Sequence, residues 1–321
     1  MTRARRWGLF AVCALTLGAR IAQAGFPVEL RDDRGRVVRI PKAAKRVVVA
    51  GPALFAQILD ELGLAERIVG IAATPEAPER FASITRVGDV NAVSIERTLA
   101  LEPDLVLGAF GPSRDGLEAA GLLVYTPAPS DDLAGVLRTI DQVEIAVRGE
   151  SSAAPGLVNR LTTEVAAIES RVAGRPRPRV ALLYPLPGSP PLTAGVGTPD
   201  HELLAKAGAE NVFAAPAGYH RVSYEEILRS DPDALVVDPS ELEWTRSHEV
   251  VSSLRAVKAG RVLAMRPSSW VSTRFPDTLR TLAVWLHPEA FADAGATPAM
   301  PTPAAAPFSS PPPRPTSGAT P

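Results

Sequence analysis

Short β-branched apolar runs alternate with stretches of helical periodicity along most of the chain. Residues 46–50 (Arg-Val-Val-Val-Ala) form the first buried-strand pattern, followed by Gly51-Pro52 and a helical pattern over 53–62 that Gly63 closes. Strands are predicted at 67–72, 104–108 and 122–125, with helices at 94–101 and 117–120 between them. Fully apolar strands separated by helices imply parallel sheets covered on both faces. Ahead of them, 28–30 and 37–40 flank a polar turn ending in Gly35, which reads as a hairpin. Between 154 and 172 the apolar positions Leu157, Leu161, Val165, Ile168 and Val172 recur at helical spacing, giving one helix of about 28 Å at 1.5 Å per residue. The alternation restarts with a strand at 179–184. A long helix between two α/β halves reads as a connector.

An internal repeat supports two similar halves. Ser94, Glu96, Leu99, Pro103 and Asp104 recur 129 residues later as Ser223, Glu225, Leu228, Pro232 and Asp233. The serine suits an N-cap, the acid favours the first turn of a helix, the leucine is expected to face the sheet, and Pro-Asp makes the turn into a buried strand. The expected fold class is therefore α/β, with two similar lobes, parallel central sheets and a single long helix joining them. The expected division is 1–24, 25–150, 151–174, 175–294 and 295–321.

Composition changes the picture at the two ends. The 321 residues carry a formal charge of −1, which becomes −5 once Arg3, Arg5, Arg6 and Arg20 are set aside. A mildly acidic body argues against nucleic acid as a partner. Those arginines precede or follow an apolar run too short to span a bilayer, and Ala22-Gln23-Ala24 fits a small-x-small cleavage site. Residues 1–24 are expected to be a cleaved export signal, so the mature chain works outside the cytoplasm. The single cysteine, Cys13, leaves with it, and with it disulfides and thiolate chemistry. Nine of the 32 prolines fall in 296–321, where 22 of 26 residues are Pro, Ala, Ser or Thr; such a segment cannot bury enough apolar surface to order itself.

Several motifs now acquire a common meaning. The hairpin Asp33-Arg-Gly-Arg-Val-Val, Pro41-Lys-x-x-Lys-Arg46-Val-Val, Leu62-Gly63 with Ile68-Val69-Gly70, Val87-Gly88, Ser94-x-Glu96, Pro103-Asp104-Leu-Val, Ala209-Glu210-Asn211-Val-Phe213 and Ala256-Val-Lys-Ala-Gly260-Arg-Val occur in that order. Together they resemble the periplasmic substrate-binding proteins of ABC importers for iron–siderophores, haem and cobalamin. The resemblance implies two Rossmann-like lobes joined by a single rigid helix, a ligand held in the interlobe cleft, little hinge closure, and no permanently bound cofactor. It further implies an ABC permease with its ATPase as partner, met by one exposed glutamate per lobe. The matching positions are Glu96 and Glu225, with Glu226 as the neighbouring candidate because it occupies the capping-box position after Ser223.

Loops after strand ends should line the cleft. Phe110 in the first lobe and Tyr184, Tyr219, His220, Arg221, Trp270 and Arg274 in the second are the ligand-binding candidates. Aromatic faces suit flat chelates and arginines suit carboxylates or anionic oxygens. Tyr219 or His220 is the candidate for a direct metal contact. Asp89 follows Val87-Gly88 where haem binders of the family often carry tyrosine, and Val90 stands where cobalamin binders often have tryptophan nearby. On this reading a ferric siderophore ranks first, cobalamin second and haem third, bound by a monomer. Nucleophile-elbow, zinc-protease, Walker and dinucleotide motifs are lacking; Gly195-Val-Gly197 is a lone GxG. A binding protein is expected rather than an enzyme, with an exported chelate-processing enzyme or a surface scaffold as the alternatives.

Overall fold

The computed structural model describes residues 25–74, 79–129, 132–265 and 271–292. The expected export signal and proline-rich tail, and Trp270, lie outside them. The first part opens with a hairpin of β1 (Val28–Arg31) and β2 (Val37–Ile40). Then follow β3 (Val47–Val49), α1 (Ala53–Glu61), β4 (Ile68–Ala73), β5 (Thr85–Asp89), β6 (Ala92–Val93), α2 (Ile95–Ala100), β7 (Leu105–Leu107), α3 (Gly111–Ala119), β8 (Val124–Tyr125) and α4 (Leu133–Arg148). The six-stranded sheet runs β6-β5-β4-β3-β7-β8, parallel except for the β5–β6 pair.

The long helix α5 (Ala154–Val172) follows, and the five apolar positions of its expected stripe are all buried. Next come β9 (Arg179–Leu186), β10 (Ser189–Ala194), α6 (Pro199–Lys206), β11 (Glu210–Asn211), β12 (Tyr219–Arg221), α7 (Tyr224–Ser230), β13 (Ala234–Val237), α8 (Leu242–Ser247), α9 (Glu249–Ser253), α10 (Arg255–Lys258), β14 (Val262–Ala264) and α11 (Phe275–Leu286). The second six-stranded sheet has the order β12-β10-β9-β13-β14, with β11 also on β9. Its β9, β11, β13 and β14 are parallel, whereas β10 and β12 run antiparallel. The central strands are parallel as expected, and the antiparallel β9–β10 and β10–β12 pairs form one edge of the sheet. β9 outruns the parallel sheet and turns back at Pro187-Gly188, a hairpin connection that only antiparallel strands allow. α3 also starts earlier than the expected 117–120, and its first turn accommodates Pro112 because an N–H there would have no partner within the helix.

Strand alternation divides the core. Val47 and Val49 of β3, with Val180 and Leu182 of β9, face one cluster that runs through α1, α4, α5, α6 and α11 and so is common to both sheets. Val48 faces a separate cluster on the outer face of the first sheet, and Ala181 with Leu183 another on the outer face of the second. A single inner core through α5 ties the two lobes together.

The N-terminus of α5 has an unusual anchor. Ala153 stands at the N-cap and offers no side-chain acceptor. Glu144 of α4, with its side chain fully buried, supplies it instead: its carboxylate accepts from the amides of Ser152 (3.0 Å), Ala153 (2.9 Å) and Ala154 (2.6 Å), and from Arg148 at 2.7 Å. Burial alone would raise its pKa, but these amides and the guanidinium hold it below the ordinary glutamate range.

Candidate cleft and docking helices

The loops at the C-terminal ends of β3 and β7 meet backbone to backbone. A methyl group on Gly51 would overlap the Gly108 carbonyl, and one on Gly108 would strike the Phe55 ring. Arg114, buried on α3, donates to the Ala109 carbonyl at 2.8 Å and to Asp33 of the hairpin turn at 2.7 Å. Thr126 donates to the same carbonyl at 2.7 Å. The loop carrying half-buried Phe110 is thereby fixed from below.

In the second lobe, pairing registers decide which candidates belong together. Arg221 and Tyr184 both pair with Leu192, and Tyr219 pairs with Ala194. Tyr184, Tyr219 and Arg221 therefore share one face, while His220 opposite Thr193 points to the other. The tyrosine rings meet edge to face with centroids 6.2 Å apart. Their common partner is Asp200, which the sequence reading did not include. Asp200 is 3% exposed on the first turn of α6, and the Tyr219 hydroxyl donates to it at 2.6 Å. Tyr184 is its second phenol partner. Burial pushes the Asp200 carboxyl above its ordinary value, and the two phenols pull it back. Burial, then the Asp200 charge, push the Tyr184 phenol well up, which keeps it a donor at neutral pH.

Local structure sets this cluster. Thr198 caps α6 by accepting from the His201 amide, and a methyl group on Gly195 would overlap the Pro216 carbonyl oxygen. Asn211 donates to the Ala194 carbonyl at 2.6 Å, lies 3.2 Å from His201 Nδ1, and accepts from the Phe213 amide at 3.0 Å. α6 is also tied to the first lobe and the connector. Glu202 accepts from the Leu133 amide at 2.9 Å, and Lys206 pairs with Glu169 of α5 at 3.0 Å. A further interlobe bond runs from the Thr273 amide to Gln57 of α1 at 3.3 Å. The Tyr219 ring, half exposed, thus stands beside a fixed junction of the lobes. Arg221 and Arg274 are both exposed, and Arg274 lies 3.8 Å from Asp277 at the start of α11. His220 instead has its Nδ1 3.1 Å from the Gly218 carbonyl oxygen.

The repeated helices α2 and α7 match beyond their sequence. Burial is the same at eight successive positions from Ser94 and from Ser223. Glu96 and Glu225 are exposed, and among the described residues neither makes an ion pair. Glu226 is engaged locally: it accepts from the Ser223 amide at 2.8 Å while its own amide donates to the Ser223 hydroxyl at 3.2 Å. That hydroxyl, then the amide, hold its carboxyl below the ordinary range. The expectation that the repeated leucine faces the sheet is corrected. Thr98 and Ile227 occupy the fully buried positions, and Leu99 and Leu228 are 41% and 45% exposed. Each helix closes on a left-handed residue, Glu102 (φ 45°) or Asp231 (φ 35°). An arginine at the head of the central strand clamps each end: Arg46 donates to the Leu101 carbonyl at 2.7 Å and Arg179 to the Ser230 carbonyl at 2.8 Å.

Two α/β lobes thus share a core through α5, and Tyr219 stands half exposed beside their junction. The sequence profile described as "Periplasmic binding protein" matches residues 48–268, and the chain belongs to that family. It is 26% identical over 277 residues to the uncharacterized ABC transporter substrate-binding lipoprotein YvrC of Bacillus subtilis, covering 83% of this chain and 87% of that one. It is 30% identical over 204 residues to the vitamin B12-binding protein of Salmonella typhimurium, covering 61% and 73%. A periplasmic heme binding protein from Pseudomonas aeruginosa superimposes with a TM-score of 0.64 at 27% identity, covering 76% and 93%. Among the described residues, no helix is long and apolar enough to cross a membrane.

Proposed function

We propose that the protein is the extracytoplasmic substrate-binding component of an ABC importer, and that its cargo is a metal tetrapyrrole of the cobalamin or haem class. The observation that carries this is the Tyr219 phenol, half exposed beside the lobe junction with its proton directed at buried Asp200. A carboxylate that accepts the phenol proton strengthens the oxygen as a donor toward a metal. Haem leaves axial positions for such a donor, and haem and the corrin of cobalamin alike offer a flat face to the rings of Tyr219 and Phe110. A ferric siderophore already fills the coordination of its iron and asks chiefly for compensating charge. That contrast, together with the cobalamin- and haem-binding relatives, moves the siderophore from the first place it holds on sequence alone.

In this reading Arg221 and Arg274 meet peripheral carboxylates or amide oxygens. His220, on the opposite face of β12, takes no part in metal contact. Glu96 and Glu225 dock the permease, and Glu226 completes the capping box that Ser223 opens on α7. The role is capture and delivery, without turnover of the chelate. Titration of the purified protein with cyanocobalamin, haemin and a ferric hydroxamate, followed in the visible range, tests it. One of the two tetrapyrroles is expected to bind at one per chain with a shifted spectrum. Binding of the ferric hydroxamate alone would overturn the choice of cargo.

A further inference from the structure

We infer that Leu99 and Leu228 form the apolar half of a two-point docking surface for the membrane permease, one leucine beside the acid of each lobe. The inference rests on the docking role of Glu96 and Glu225 and adds the surface that the permease must bury there. Only five large apolar side chains are exposed among the described residues, and these two are equivalent positions of the repeat. Thr98 and Ile227 fill the inward position of each helix completely, so each leucine stays on the outer face. A glutamate and a leucine three positions apart lie on the same helical face. Each lobe therefore offers one carboxylate and one leucine together.

The orientation of that face is held in the same way twice. The left-handed residue and the arginine clamp fix the C-terminal end of each helix against its own sheet, and Asp104 and Asp233 accept from the amides of Arg46 (3.1 Å) and Arg179 (2.9 Å) at the heads of those strands. Two matched pairs fit a partner that carries one receptor site twice, each a basic side chain beside an apolar contact. Charge steers the encounter, and buried apolar surface slows dissociation. Beside Leu228 an open groove of about 540 Å³, lined by Asp231, Leu254, Arg255 and Lys258, gives the second site room for a protruding side chain.

Binding of the mature protein to its permease–ATPase complex in nanodiscs, followed at low and moderate salt, tests this. Leu99→Gln with Leu228→Gln, chosen because glutamine sustains a helix, should weaken binding about tenfold through faster dissociation, with the salt dependence unchanged. Glu96→Lys with Glu225→Lys should instead slow association and reverse the salt dependence, because like charges then repel until salt screens them. Leu99→Met with Leu228→Met should bind like the wild type. Wild-type affinity in the glutamine variant beside a weakened lysine variant would discard the leucines and leave the acids in place. Wild-type affinity in both would discard the docking role altogether. The glutamine variant is expected to keep the wild-type melting temperature; a weakened affinity accompanied by a large fall in that temperature counts against the inference.

Discussion

Glu144→Ala is expected to destabilise the protein by about 3–5 kcal/mol, the range for breaking a buried charge pair by removing one partner. The loss has three parts. The amides of Ser152, Ala153 and Ala154 lose their common acceptor, Arg148 loses its carboxylate, and a cavity opens between α4 and α5. Because α5 joins the two lobes through the shared core, the damage falls on the joint that sets the cleft. Glu144→Gln should cost less, since an amide still accepts from one or two of the same N–H groups. Urea unfolding measures both, and a change below about 1 kcal/mol for the alanine variant would refute the role of this carboxylate as the helix anchor. The pH dependence has a definite sign. The folded-state pKa is depressed, so the contribution of Glu144 is fully present above the ordinary glutamate range and is lost as pH falls through the depressed value. The wild type should lose stability in acid faster than Glu144→Gln does.

Asp200→Asn should have the opposite signature. The folded-state pKa of Asp200 is raised by burial, so the native state holds its proton more tightly than the unfolded chain. Stability is then lost as pH rises from the ordinary aspartate range through the raised value, and at neutral pH the ionised carboxylate costs stability. Asparagine removes that charge and keeps an oxygen for a phenol. The variant should melt at the wild-type temperature or higher, while affinity for the chelate falls about 10- to 100-fold, the usual effect of losing a group that orients a metal donor. Thermal melts and visible titration on the same sample measure both. An Asp200→Asn protein that melts lower and binds normally would make the carboxylate purely structural.

These two acids show what the sequence could reveal. α5 is legible because its apolar stripe repeats without interruption, and the five expected positions are the buried ones. The repeated helix is legible as a motif, yet the side its leucine faces is not. Over six or seven residues the periodicity leaves neighbouring positions almost equivalent, and only the packing against the sheet selects Thr98 and Ile227. Glu144 had a signal that went unused: it falls on the stripe of Ile140, Val143 and Val147, where a charge must have partners. Asp200 had none, since an acid in the first turn of a helix is ordinary. Its tyrosines lie 16 and 19 residues away on strands whose antiparallel pairing the alternation of strands and helices does not announce. Tyr219 itself could be found, because an aromatic in the polar Gly-Tyr-His-Arg loop has no core to enter.

The most direct test of the central claim is the visible spectrum of the protein purified from its own host, read beside native mass spectrometry. A captured tetrapyrrole should appear as one corrin or Soret spectrum per chain and as a matching mass increment, and Tyr219→Phe should shift or remove that spectrum. A broad ferric siderophore band with the corresponding mass would contradict the assignment of the cargo, and turnover of an added tetrapyrrole would contradict a role in binding alone.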